Sequence, residues 1–220
     1  MARREEEREL RRQSILDAAR RVIGRDGVES STMGDIATEA RLSRALLYVY
    51  FRDQDDLKWA LVAEGLDQLH SFFREAAGAA STGLDALDRI GWAYIRLSRE
   101  HPVEWELLAH KEVEELVEDD SPADSAAQSS ELRDHRAICT ATGGEIHELM
   151  ASQVERGVVD GTVRDDIGDP LATALALWGM THGLLQIACM KAVMLEEGYE
   201  ITVQHYLDHG MGMLSRALKA

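Results

Sequence analysis

The chain has 220 residues with 24 Lys and Arg against 40 Asp and Glu, a formal net charge of −16. That length allows one sizeable domain or a small module joined to a larger one. A composition of 45% hydrophobic and 29% charged residues excludes a wholly disordered or fibrous chain, and 3 prolines with 5% aromatics argue against a turn-rich β protein. Acidity of this size argues against a nucleic-acid partner, because a phosphate backbone repels it. The charge is divided unevenly, however: residues 1–58 hold 12 basic and 12 acidic side chains, and residues 59–220 hold 12 basic and 28 acidic. The whole excess lies in the second part.

Met1 to Glu7 contains no apolar run of the kind a secretory signal needs, and Cys139 with Cys189 make no disulfide framework. A reducing cytoplasm is therefore expected. The stretch from Leu171 to Leu195 is as apolar as a membrane span, but Thr173, Thr181, His182, Gln186 and Lys191 interrupt it. Polar groups at that frequency are costly in lipid, so it is expected to be a helix buried in protein, with no membrane partner.

In chain order, Glu7 stands four residues before Arg11, the favourable order for a helical ion pair. Ile15, Ala18, Ala19, Val22 and Ile23 recur at helical spacing and predict an amphipathic helix that Gly24 and Gly27 stop. Ser31 or Thr32 is placed to cap a short helix over 32–40, with Met33, Ile36, Ala37 and Ala40 inward. After a break at 41–43, Ser43 is placed to cap a second short helix over 44–51. Asp53, with acids at 55 and 56, opens a fourth over 54–77. Helices follow near 84–100, 103–117, 131–157, 170–195 and 200–219. Between them lie a polar break at 118–130 and a connector over 157–169 that leads into Pro170 at a helix N1 position. No strand pattern and no repeat is present. The expected fold is all-α, with about nine helices.

Helices 32–40 and 44–51, joined by a three-residue turn, have the proportions of a helix-turn-helix, and neither is long enough to be stable alone. Ile36, Ala37, Leu42 and Leu47 would hold the pair together, leaving Arg44, Ala45, Tyr48 and Val49 outward. In such a unit the first helix crosses the DNA backbone and the second enters a major groove about 12 Å wide.

The run Ile15-Leu16-Asp17-Ala18-Ala19, Gly27-Val28, Thr32-Met33-Gly34-Asp35-Ile36-Ala37, Ala40 to Phe51 and Leu57 closely resembles the TetR family of bacterial transcriptional regulators. The resemblance covers roughly residues 12–60. Weaker likeness extends through Gly161-Thr162-Val163-Arg164-Asp165-Asp166, Asp169-Pro170 and Leu177 to Leu184. It implies a DNA-binding domain at 1–58, and a helical ligand-sensing and dimerisation domain at 59–220. It also implies a homodimer that reads a palindromic operator in double-stranded DNA and a small-molecule effector, with no enzymatic activity and no cofactor. Carried over by position, Arg44 and Ala45 face bases, Tyr48 and Tyr50 meet the backbone, and Thr32 places a hydroxyl and amide on a phosphate. Ser43 and Val49 complete the expected DNA-contacting set. Arg3 and Arg4 could form a minor-groove arm, which Glu5 to Glu7 oppose. Five positions depart from the family pattern: Arg41 replaces a turn glycine, Ala45-Leu46 a Gly-Thr pair, Val49 a frequent His, and Gln54 a Lys.

The effector candidates are Trp92, Tyr94, Trp105, Leu108, His110, Met150, Trp178 and His182, a mixture of large apolar walls and a few polar points that suits a small, mainly apolar ligand. Gly179 and Gly183 permit close helix approach and are the expected subunit-interface positions. His205 and His209 have metal-ligand spacing, but no acidic partner completes a site, so no metal is expected. The acidic run from Glu112 to Asp124 reads as a solvated helix end and loop. Two other functions remain open: a helical enzyme, which lacks any ordered nucleophile or carboxylate pair, and a regulator working through a protein partner at 112–130.

Overall fold

The computed structural model describes residues 2–117 and 130–220, with side chains at 3–109 and 135–220. The polar break expected at 118–130 falls outside the described residues but for its last position. The described residues form nine α-helices and one π-helical turn, with a single Val163–Lys219 bridge in place of any strand. The chain divides into two compact units, Met1–Asp67 with Ser98–Ala141 and Gln68–Leu97 with Thr142–Ala220.

In the first unit, α1 (Ala2–Asp26) buries the face its spacing predicts: Ile15, Ala18, Ala19 and Val22 are 0% exposed. The charged opening is helical as well, and there Glu7 meets Arg3 at 3.3 Å rather than Arg11. Gly24 does not stop the helix. A Cβ there would only touch Val103 at 3.4 Å, and the exit comes at Gly27, whose φ of +85° is left-handed. Thr32 caps α2 (Met33–Glu39), accepting from the Asp35 amide at 3.2 Å, and Ser43 caps α3 (Arg44–Tyr50), accepting from the Leu46 amide at 3.2 Å. Between them Arg41 takes a φ of 57°. The Leu42 amide reaches the Ala37 carbonyl at 2.9 Å and the Arg41 amide reaches Thr38 at 3.1 Å. These are the two bonds of a Schellman turn, whose left-handed position favours glycine.

Asp53 caps α4 (Gln54–Gly78) by accepting from the Asp56 amide at 2.8 Å. Arg20 on α1 binds Glu64 on α4 and Glu104 on α6 (Pro102–Val117), and Glu104 has only 6% of its side chain exposed. This fork stitches three helices of the first unit around Ile36, Leu47, Phe51, Leu57 and Leu61, none more than 1% exposed. Each such burial contributes roughly 1.5–3 kcal/mol.

The second unit is organised around a helix start. α5 (Gly83–Glu100) begins where the Gly83 amide donates to Asp160 at 2.7 Å and the Leu84 amide donates to Thr162 at 3.2 Å. Both acceptors belong to the end of α7 (Ser130–Asp160) and the turn after it. The Gly161-Thr162-Val163 signature thus caps a distant helix. Val163 packs with Leu87, Val154 and Leu218, and the Arg164 amide binds the Leu218 carbonyl at 2.9 Å. Gly83 itself lies on the backbone of α7: a Cβ there would stand 2.6 Å from the Gln153 carbonyl and closer still to the Gly157 amide.

Asp169 and Pro170 open α8 (Pro170–Met190) as the sequence suggests, but the helix ends at Met190, not 195. A π-helical turn (Met194–Gly198) leads to α9 (Val203–Leu218), capped by Thr202. The expectation of a buried α8 is corrected. Its most apolar stretch has mean hydropathy 1.3, long and apolar enough to span a membrane, yet only 22% of it is buried within the chain. Ala174, Thr181, Leu185 and Ala188 face inward, whereas Leu175, Met180, Ile187 and Met190 are exposed. One chain supplies too few neighbours to cover both sides. Within the chain, close approach to α8 comes at Gly210 of α9, where a Cβ would stand 2.6 Å from Leu184. At Gly179 and Gly183 a Cβ would meet nothing within 4 Å.

Candidate nucleic-acid interface and effector cavity

α3 is seven residues long and buries only Leu47. Two turns anchored by one leucine leave the rest of the helix available: Ser43, Arg44, Ala45, Leu46, Tyr48 and Val49 are exposed, Tyr48 by 50% and Val49 by 65%. Tyr50 is half-buried, and Phe51, 1% exposed, closes the core beneath. The charges nearby are sorted. Glu39 takes Arg21 at 2.7 Å and Arg25 at 3.6 Å, and Arg25 also holds Asp26 at 2.8 Å, so α1 and α2 neutralise one another. Among the described residues no carboxylate pairs with Arg41 or Arg44, the two cations flanking the start of α3. The Arg44 guanidinium lies over Gly34 of α2, where a Cβ would come within 2.9 Å of it. Thr32 is exposed, and its hydroxyl donates to Asp35. Gln54 uses its amide to hold the Ser31 carbonyl at 2.6 Å, fixing the loop ahead of α2.

The second unit contains a cavity, partly open to solvent, bounded by α4, α5, α7, α8 and α9. Phe73, Tyr94 and Trp178 form an aromatic wall: Tyr94 lies 4.6 Å from Trp178 between centroids, and Phe73 meets it edge-on at 6.3 Å. Met150, Ile90, Leu177 and Met211 supply aliphatic surface. His182 stands behind this wall, hydrogen-bonded to the Tyr94 hydroxyl at 2.8 Å, and His147 meets Trp178 edge-on at 6.1 Å. Burial lowers the pKa of both rings below the usual histidine range, which favours neutral imidazoles at pH 7.

Of the effector candidates, Met150, Trp178 and Tyr94 line the cavity and His182 braces it. Trp92 is half-buried on α5 but does not line it, and Trp105 and Leu108 belong to the first unit. The side chain of His110 lies outside the described residues, as does the acidic run from Glu112. His205 and His209 have ring centroids 6.4 Å apart, and among the described residues no three His, Cys, Asp or Glu side chains converge on a point. Sequence reasoning missed Asp88 and Ser215, which also line the cavity. The signal for Asp88 was present: it occupies a position of α5 that the spacing of Leu84, Leu87 and Gly91 assigns to the inward face.

A capped two-helix unit with a projecting, partly cationic second helix is a helix-turn-helix module. Residues 15–60 match the family model described as bacterial regulatory proteins, tetR family. The nicotine-responsive transcriptional repressor HdnoR of Paenarthrobacter nicotinovorans is 52% identical over 59 residues, which span 27% of this chain and 30% of that protein. The transcriptional regulator TtgR of Pseudomonas putida is 27% identical over 224 residues, spanning 96% of this chain and 95% of its own. Among solved structures, AibR in complex with isovaleryl coenzyme A and operator DNA superposes with a TM-score of 0.61 at 20% identity, covering 92% of this chain and 97% of that one. Residues 15–60 thus match the helix-turn-helix of the tetR family, and over nearly its whole length the all-α chain is similar to a helix-turn-helix transcriptional regulator.

Proposed function

We propose that this regulator is a homodimeric repressor that binds a palindromic operator and is released by a small, mainly apolar molecule taken into the cavity of the second unit. The observation that carries the DNA half is the face of α3: six neighbouring side chains from Ser43 to Val49 are exposed while Leu47 alone is buried. In this reading Arg44 and Ala45 meet base edges. Tyr48, Tyr50, Ser43 and Thr32 position the helix on phosphates, and Val49 offers apolar contact to a thymine methyl. The Arg41 and Arg44 cations carry the local attraction that the overall charge of −16 opposes.

The dimer half rests on α8. Its exposed residues Leu175, Met180, Ile187 and Met190, with Met213 of α9, form an apolar surface that a second copy would cover, and Gly179 and Gly183 leave room for a partner helix. Two recognition helices then read half-sites about 34–36 Å apart. The effector acts by favouring a dimer geometry that no longer matches that spacing, a population shift limited by its differential affinity for the two states. The chain has no catalytic role in this scheme and works in the cytoplasm of a bacterium. Mobility-shift electrophoresis on the DNA upstream of the protein's own gene tests it. A discrete complex at low salt, dissolved by an extract of the host, is the expected outcome; no specific complex with or without extract would refute it.

A further inference from the structure

The cavity carries a carboxylate for which neither fold nor DNA binding has a use. Asp88 projects from α5 into a pocket otherwise lined by Phe73, Tyr94, Trp178 and aliphatic side chains. Among the described residues no Lys or Arg pairs with it, and its hydrogen-bond partner is Ser215 of α9, which donates to Oδ2 at 2.9 Å. The hydroxyl donors around the pocket are already committed. Thr181 donates to the Leu177 carbonyl at 2.8 Å, Ser215 donates to Asp88, and the Tyr94 hydroxyl is engaged with His182. The cavity therefore offers an incoming molecule an acceptor with negative charge and aromatic faces, but no cation.

An anionic ligand would meet an uncompensated carboxylate in an apolar setting, which is unfavourable. A neutral one would leave the Asp88 charge half-desolvated, with the Ser215 hydroxyl but no cation beside it. A ligand that brings its own N–H donors and positive charge meets the acceptor and stacks its cationic end on ring faces, where cation–π attraction adds to the ion pair. We propose that the cavity takes an apolar amine, protonated at neutral pH, with its ammonium on Asp88 and its hydrocarbon against Tyr94, Trp178 and Met150. The proposal rests on the cavity being the effector site, and it names the ligand's chemical class. Burial raises the Asp88 pKa above its ordinary value, further aided by the nearby charge of Asp85 and opposed by the Ser215 hydrogen bond. A bound ammonium reverses that bias.

Isothermal titration of the 220-residue protein at pH 7.5 with 4-phenylbutylamine, 4-phenylbutanol and 5-phenylpentanoate tests the proposal, since the three share a phenylbutyl group and differ only in the head group. The amine is expected to bind about tenfold or more tightly than the alcohol, and the carboxylate most weakly. Asp88→Asn removes the amine's advantage and leaves alcohol binding within about threefold. Ser215→Ala keeps the carboxylate and retains the preference, so loss of binding through misfolding is distinguishable from loss of the charge. Equal binding of amine and alcohol, or unchanged amine affinity in Asp88→Asn, would overturn the proposal while leaving the cavity as a binding site. Absence of binding by all three would overturn both. Amine binding that does not dissolve the operator complex would uphold the site and refute the effector role.

Discussion

Gly83 is where the second unit is most sensitive to a single methyl group. In Gly83→Ala the new Cβ would stand 2.6 Å from the Gln153 carbonyl oxygen and nearer still to the Gly157 amide nitrogen and Cα, all backbone atoms of α7 that no rotamer change can move. Ordinary contact is roughly 3.5–4 Å, so α5 and α7 must separate by about an ångström. Overpacking of this kind costs about 1–3 kcal/mol. The same displacement stretches the Gly83–Asp160 and Leu84–Thr162 bonds that cap α5, worth about 1 kcal/mol each. The expected loss is therefore about 3 kcal/mol or more, measured by urea denaturation followed by circular dichroism at fixed protomer concentration. Gly144→Ala is the matched control. It also lies in α7, where a Cβ meets nothing within 4 Å, so alanine should stabilise by up to about 1 kcal/mol. A Gly83→Ala protein within about 0.5 kcal/mol of wild type would refute the backbone-clash reasoning.

Arg41→Gly relieves the left-handed strain of the α2–α3 turn, and denaturation should show a gain of about 1 kcal/mol; a loss would mean the arginine side chain makes the turn. Arg20→Ala leaves Glu64 and the buried Glu104 facing each other, and should cost about 3 kcal/mol, while Arg20→Met with Glu104→Leu should recover most of it. Two carboxylates should behave oppositely with pH. At Asp56 burial alone would raise the pKa, but hydrogen bonds from His135 and the Arg52 amide outweigh it and lower the pKa below 3.8. Its stabilisation is present above that value and lost as pH falls, so Asp56→Asn should flatten the acid side of the stability curve. Asp88 has a pKa raised above 3.8, chiefly by burial, so its stabilising contribution is complete below that value and is lost as pH rises. Asp88→Asn should accordingly melt higher than wild type at pH 7, with the gap closing towards pH 4, and a gap that widens in acid would contradict this.

The helix-turn-helix was legible because its determinants are local. Thr32, Ser43 and Asp53 are caps read from residue type and position, and the buried stripe from Ile15 to Ile23 is a periodicity. What the sequence hid depends on contacts distant along the chain. Gly24 looks like a helix stop until Val103 is seen above it, and Gly161-Thr162 looks like a mere connector until it caps α5. The aromatic residues Trp92, Trp105 and Trp178 are equivalent in a one-dimensional pattern, and only packing separates the one that lines the cavity. α8 misled for another reason: an apolar composition says that a face needs covering, but not whether the cover lies in the same chain.

The charge division also changes how DNA binding should be tested. With residues 1–58 neutral and the excess of −16 carried by residues 59–220, non-specific affinity should be weak and strongly salt-dependent, so discrimination must come from base contacts and DNA shape. Selection of binding sites from a pool of random duplex DNA measures this directly. Enrichment of a two-fold symmetric sequence is expected, with half-sites one helical turn, about 34–36 Å, apart or a multiple of it, and relaxed preference at one position in each half-site with Arg44→Ala. Enrichment of an unsymmetrical site, or no enrichment at all, would contradict it.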